Sequence, residues 1–432
     1  MLSTILSSGN RTFSFTGQDD NDKIRRFFSL KGMVPFMSSR RPTCVEINLD
    51  ALRHNLDQAS RQAGEGRQVL AVVKADAYGH GAARVAMALQ EAGVDLFGVA
   101  MVEEGMDLRR AGVTRPVLVL GGIYPGQEAA ILQHELTPAL FDLQTAHRLD
   151  RFFFQAGRVC PFHLKVDTGM GRVGFRPEEL ETVLRELAGL RSLFMEGVIS
   201  HLALADEPEH PFTDEQLLRF RAALERVRNA GFSPHLIHLS NSAALFSREV
   251  PECNMVRPGI VLYGGLPSAV FAGRLDLQPV MSFRTSVVQV KEVPAGTGVS
   301  YSHRFVAERP TILAAIPVGY ADGYSRHLSC KAEVLVRGRR ARVAGTVCMD
   351  WTLIDVTDIP GVVVGDEVTL LGRDNGQVIT AEEWAEKVGT ISYEVFCQVS
   401  KRVPRIYMES GIRTQESGDP EIRNLKNLIP ET

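Results

Sequence analysis

Between residues 69 and 263, short apolar runs alternate with longer amphipathic ones, and this restricts the fold more than any other feature of the chain. The runs at 69–73, 97–99, 117–120, 138–141, 162–166, 195–200, 236–239 and 255–263 read as buried strands. Apolar residues at helical spacing fill 82–92, 102–111, 127–135, 143–155, 178–189 and 214–229; the last carries Leu217, Leu218, Phe220, Leu224 and Val227. Strand–helix alternation implies parallel strands joined by right-handed crossovers. Eight such units predict an α/β fold, a (β/α)8 TIM-type barrel occupying residues 41–278.

Past residue 278 the period changes to two, as in Thr285-Ser286-Val287-Val288-Gln289-Val290. Similar runs follow near 312–317, 332–337, 341–347, 352–356 and 367–371, punctuated by Gly and Pro. They predict a mainly β C-terminal domain over 279–408. Residues 1–40 stand apart, with Ser, Arg, Phe and the acidic patch Asp19-Asp20-Asn21-Asp22. They hold no signal-type apolar stretch, and we read them as a disordered extension or as sequence upstream of a start at Met37. Residues 409–432 read as a polar tail.

A formal net charge of -3 gives no electrostatic reason to expect nucleic acid or an anionic membrane as partner. No apolar run approaches the ~18 residues of a membrane helix. The expectation is a cytoplasmic protein with a small-molecule substrate. Six cysteines are scattered without a C-x-x-C pair and read as reduced thiols. The histidines and carboxylates show no metal-ligand spacing, so no metal is expected.

In such a barrel, reactive groups sit just past the carboxyl ends of the strands. The polar residues there are Lys74, Arg172, His201, Ser242 and Arg257. A lysine that follows five buried apolar residues loses ammonium stability if desolvated, which makes it a candidate Schiff-base amine. Position alone does not separate that reading from a lysine leading into a loop. Ser242 and the Pro258-Gly259-Ile260 turn follow the last two strands, where barrels often bind phosphate. A simple tight turn is the plain alternative.

The run Ala71-Val72-Val73-Lys74-Ala75-Asp76-Ala77-Tyr78-Gly79-His80-Gly81 resembles the cofactor-lysine signature of the alanine racemase family. Further pieces follow in the family's order: Lys165 to Gly174, Ser200-His201, Ser240 to Ala244, and Arg257-Pro258-Gly259-Ile260. The second domain adds Val299-Ser300-Tyr301, Gly319 to Gly323, Val347-Cys348-Met349-Asp350 and Ser392-Tyr393-Glu394. The resemblance covers roughly residues 41–408. Asp76 stands where many members carry Asn.

The resemblance implies an isomerase that interconverts L- and D-alanine on pyridoxal 5'-phosphate, supplying D-alanine for the bacterial cell wall. It implies that Lys74 carries the cofactor as a Schiff base and that Tyr78, Ser242, Gly259, Ile260 and Tyr393 bind its phosphate. Arg257 faces the pyridine nitrogen with His201 behind it, and Arg172 lies near the phenolic oxygen and the substrate. The chain is expected to form a homodimer with shared active sites. Tyr301, delivered by the partner subunit, is then the second acid/base beside Lys74. Tyr320 lines the entrance, and Met349 helps bind the substrate carboxylate. Lys165 matches a lysine that is carbamylated in some members. Taken singly, Tyr301 reads as a strand tyrosine, Met349 as core filler and His201 as a core histidine.

Two bases suit the chemistry, because racemisation removes the α-proton from one face and returns it on the other. Arg257 stays protonated and leaves the pyridine nitrogen bare, which disfavours transamination. A serine or broad-specificity racemase is the alternative. A decarboxylase with a similar barrel is disfavoured because it would place a carboxylate where Arg257 stands. A cofactor carrier made of the barrel alone would lack the second domain and Tyr301.

Overall fold

The computed structural model describes residues 41–410 and 412–415. The readings of residues 1–40 and 416–432 lie outside these. Strand β1 (Cys44–Asn48) leads into α1 (Leu49–Ala63), which Asn48 caps by accepting the Ala51 amide at 2.9 Å. Then follow β2 (Gln68–Val72), α2 (Ala82–Glu91), β3 (Leu96–Val99), α3 (Val102–Arg110), β4 (Val117–Val119), α4 (Glu128–Gln133) and β5 (Leu136–Leu140). The series continues with α5 (Leu143–Gln155), β6 (Cys160–Lys165), α6 (Leu180–Ala188), β7 (Leu193–Ile199), α7 (Phe212–Asn229), β8 (Leu236–His238), α8 (Ser242–Ser247) and β9 (Met255–Val256). Every pairing from β2 to β8 is parallel, and β9 joins β2 on its other side. The result is the eight-stranded α/β barrel.

Strand β5 is buried at every position, as expected of a parallel strand covered on both faces. On α5, Leu149 and Phe153 stand four residues apart and both are buried against the core. Truncating such a phenylalanine to alanine costs about 3–5 kcal/mol. Between β8 and β9 the wall is closed by individual bonds: Asn254 donates its amide to the Ile237 carbonyl at 3.1 Å, and Arg257 to that of Ser240 at 2.9 Å.

The apolar run at 255–263 is not one strand. It pairs over Met255–Val256 only, and Ile260–Tyr263 coil into a 3-10 turn. Pro258 cannot donate a ladder bond, so the strand stops there. A short apolar run looks the same in a strand and in a buried turn.

The second unit is one sheet of eleven strands. It contains β10 (Met281–Ser286), β11 (Gln289–Val293), β14 (Thr311–Ile316), β15 (Glu333–Val336), β16 (Arg339–Val343), β17 (Thr352–Asp355), β18 (Glu367–Asp374) and β19 (Gln377–Ile379). Between β11 and β14 lies a separate hairpin, β12 (Gly298–Val299) with β13 (Phe305–Val306). Helices α9 (Ala381–Val388) and α10 (Ser392–Cys397) follow β19, and β20 (Arg405–Glu409) and β21 (Ile412–Gln415) end the described chain.

The structure differs from the sequence reading at both domain edges. Strand β1 pairs with β10 and β20, so residues 44–48 belong to the second sheet and not to the barrel. Pairing over so long a separation leaves no local signal. Residues 412–415, read as tail, form a hairpin with Ile406 to Glu409. Polar composition hid this, because an edge hairpin needs little apolar surface. Among the described residues, no helix is long and apolar enough to cross a membrane.

Candidate active site

Lys74 follows β2 directly, and the chain turns there in an uncommon way. Ala75, Asp76, Ala77 and Tyr78 all have positive φ, between 53° and 55°, which makes a left-handed turn within Lys74–Gly79. Each such residue costs roughly 1–2 kcal/mol, so the surroundings must impose the turn. Glu104 accepts the Ala75 amide at 2.7 Å, and Asp76 accepts the Ala82 amide at 2.8 Å. The Arg405 guanidinium donates to the Gly79 carbonyl at 2.9 Å. Gly79 itself is pressed against α10, where a Cβ would lie 2.3 Å from the Phe396 carbonyl oxygen. The turn buries Tyr78 between Tyr263, at 4.9 Å between ring centroids, and Tyr393, at 6.0 Å.

A cavity of about 600 Å³ opens at the carboxyl ends of the strands. Its walls bring together Lys74, Tyr78, Lys165, Arg172, His201, Ser242, Arg257, Gly259, Ile260 and Tyr393. Burial, followed by the neighbouring Arg172 guanidinium, lowers the basicity of the Lys74 amine. Lys165 is buried more deeply, and burial together with Arg257 and Arg172 pushes its pKa down to about 7. Four nitrogen bases, Lys74, Lys165, Arg172 and Arg257, thus share the cavity lining, and the two lysines yield their protons more readily than free lysines.

Arg257 is buried, and among the described residues no carboxylate lies within ion-pair distance. It donates to the Ser200 carbonyl at 2.8 Å and to that of Leu239 at 3.0 Å. Its Nη2 lies 3.3 Å from Nδ1 of His201, whose basicity falls well below its ordinary value through burial and then Arg257. His201 is therefore a neutral acceptor there. Elsewhere in the lining, the Gly259 amide donates to Ser242 Oγ at 2.8 Å. Asn241 caps α8 by accepting the Ala244 amide at 3.0 Å, which fixes Ser242 in the first turn. This part of the lining is a pocket of amide and hydroxyl groups too tight for a side chain on Gly259.

Tyr301, Tyr320 and Met349 do not line the cavity of their own chain. They are 64%, 40% and 52% exposed, so neither the strand reading of Tyr301 nor the core reading of Met349 holds. Tyr301 stands in the turn of the β12–β13 hairpin, between Ser300 and Ser302, both with positive φ. Hydrogen bonds tie the three loops together: Thr346 Oγ1 donates to the Tyr301 carbonyl at 2.8 Å, and the Tyr320 and Ala321 amides donate to the Cys348 and Met349 carbonyls. Trp351, 48% exposed, extends the patch.

Residues 47–267 match the family model for the alanine racemase N-terminal domain, and residues 280–407 the one for the alanine racemase C-terminal domain. The chain belongs to the alanine racemase family. It is 52% identical over 377 residues to an alanine racemase of Geobacter sulfurreducens, covering 86% of this chain and 99% of that one. It is 45% identical over 390 residues to alanine racemase 2 of Caldanaerobacter subterraneus, covering 90% of this chain and 98% of the relative. Among solved structures, an alanine racemase of Clostridium difficile superposes with a TM-score of 0.82 at 37% identity, covering 88% of this chain and 98% of the other. One from Bacillus anthracis, with bound L-Ala-P, gives 0.82 at 36%, with the same coverage. As an alanine racemase the chain is an isomerase.

The structure explains one departure of this alanine racemase from the family pattern and adds one residue that the sequence did not single out. Asp76 in place of Asn changes little, because the turn uses only its Oδ1 as acceptor, and an asparagine oxygen does the same. Cys397 lines the cavity beside Lys74, yet it was read as an ordinary thiol. The available signal was its place on the helix, four residues after Tyr393, where two side chains share a face.

Proposed function

We propose that this alanine racemase interconverts L- and D-alanine with pyridoxal 5'-phosphate held at Lys74, and that Lys74 and Tyr301 move the α-proton on opposite faces. The observation that carries the reading is that one cavity is lined by a lysine of lowered basicity, a buried Arg257 and a Ser242–Gly259–Tyr78 cradle. The donor set suits the cofactor's three parts. Ser242, Tyr78, Tyr393 and the amides of Gly259 and Ile260 would hold the phosphate, Arg257 the ring nitrogen, and Arg172 the phenolic oxygen. Bound there, the cofactor supplies an electron sink for the pair left by the departing proton.

Lys74 suits the role of a base because burial, and then Arg172, lower the pKa of its amine toward the range where a base works. His201, a neutral acceptor, steadies the Arg257 guanidinium. In the homodimer we infer, the partner subunit's Tyr301 completes the site, with Met349 of the partner subunit toward the substrate carboxylate and the partner's Tyr320 at the entrance. The exposed patch these residues form supports that reading, since contiguous apolar surface of this kind marks interaction sites. Bacterial relatives named alanine racemase support a cytoplasmic role in supplying D-alanine for the cell wall.

The direct test is a racemisation assay on L-alanine and L-serine side by side, with borohydride reduction and peptide mapping of the cofactor adduct. The expected results are faster turnover of alanine and label on Lys74. Label on another lysine, or no preference for alanine, overturns the assignment.

A further inference from the structure

A second hydrogen-bonded chain leaves Arg257 away from the cavity and runs through the barrel interior. Arg257 Nη1 lies 3.1 Å from His238 Nδ1, His238 Nε2 lies 2.7 Å from His163 Nδ1, and His163 Nε2 lies 3.2 Å from Glu196 Oε2. Both rings are fully buried, whereas Glu196 reaches partial exposure.

With neutral rings this chain can run in one sense only. A guanidinium donates and never accepts, so His238 Nδ1 is an acceptor. Its proton then sits on Nε2 and is donated to His163 Nδ1. By the same reasoning His163 carries its proton on Nε2 and donates it to the Glu196 carboxylate. The charge states agree with this sense. Burial keeps both imidazoles neutral, and the His163 contact holds Glu196 below the usual carboxylate range.

The backbone is shaped for these contacts. Phe162 pairs with Met195 and His163 with Gly197, so Glu196 is the extra residue of a bulge between β6 and β7. Bulges re-aim a side chain. Gly197 lies on β7, between the strands that carry the two histidines. A Cβ there would stand 2.7 Å from His163 Nδ1, so a glycine is what lets the rings meet across it.

We propose that Glu196 is a positioning residue for Arg257, acting through His163 and His238 as a relay with one fixed sense. Remove its acceptor, and the His163 proton is free to sit on Nδ1, facing the Nε2 proton of His238. His238 relieves that clash only by turning an N–H toward Arg257, which pushes the guanidinium from its place. The proposal rests on Arg257 facing the cofactor ring for its link to catalysis, but the proton positions do not depend on that.

The test is a 15N spectrum of cofactor-free protein labelled at histidine, with His163 and His238 assigned by single variants. Both are expected as neutral rings protonated on Nε2. In Glu196→Leu, His163 should shift to a mixture of tautomers, and kcat should fall about tenfold, the scale typical of outer partners at a site, with KM changed less than about twofold. Glu196→Gln restores an acceptor oxygen and should recover most of both readouts. A ring protonated on Nδ1, or on both nitrogens, in the native protein overturns the proposal even if Glu196→Leu fails to fold. So does a folded Glu196→Leu protein with unchanged spectrum and kcat. Normal proton positions beside label at a lysine other than Lys74 would instead sink the cofactor reading alone.

Discussion

A Cβ placed on Gly259 would stand 2.6 Å from the hydroxyl oxygen of Tyr78, closer than real Cβ contacts come. The two residues therefore fix the depth of the cradle together. Gly259→Ala must displace Tyr78 or the turn, at about 1–3 kcal/mol of overpacking. The expected outcome is a dissociation constant for pyridoxal phosphate raised by roughly one to two orders of magnitude, measured by equilibrium dialysis. Unchanged affinity would show that the phosphate lies elsewhere.

Lys165 should take up carbon dioxide. Burial and two guanidinium groups hold its pKa near 7, down from 10.5, so at pH 8 it is largely the neutral, nucleophilic amine. A carbamate there would place a negative charge beside Arg172 and Arg257. Since only the neutral amine reacts, occupancy should fall as pH drops through about 7. Protein equilibrated with 13C-bicarbonate should show a carbamate resonance that disappears in Lys165→Ala. Its persistence in that variant would assign it to another amine.

Shared sites predict complementation. Lys74→Ala lacks the amine proposed to hold the cofactor, and Tyr301→Phe the hydroxyl proposed to oppose it, so each alone should lose most activity. Mixed after subunit exchange, they form hybrids in which one of two sites is intact, and about a quarter of native activity should return if pairing is random. No recovery after exchange confirmed by mass spectrometry would argue that Tyr301 serves its own chain, against its 64% exposure away from the cavity.

Opposed bases predict unequal losses for the two enantiomers. In Tyr301→Phe, exchange of the α-proton with solvent deuterium should collapse for L-alanine by about 10²–10⁴. D-alanine should keep slow exchange at Lys74. Equal residual rates would mean that a single group serves both faces.

The barrel was legible because strand and helix periods are local: residues within a few positions of each other report their own burial. That Lys74, Arg172, His201, Ser242 and Arg257 share one cavity was legible for a related reason, since each follows a readable strand. Strand β1 was not legible, because its partners Arg284 and Arg405 lie hundreds of residues away. Nor was the left-handed turn at Ala75 to Tyr78, where four non-glycine residues adopt a conformation that their own chemistry disfavours.

The sequence by itself determined the order of elements, the lysine at the end of β2 and the identity of the groups around it, since these depend on residue type and spacing. Tertiary structure alone decided which of those groups act on each other. The basicity of Lys165 depends on burial and on Arg257, which stands past the end of another strand ninety-two residues away, in addition to Arg172 in the loop after its own strand. The sense of the Arg257–His238–His163–Glu196 chain depends on a bulge and on a glycine between two strands. Desolvation and hydrogen-bond direction are properties of neighbours in space, and no local window of residues contains them.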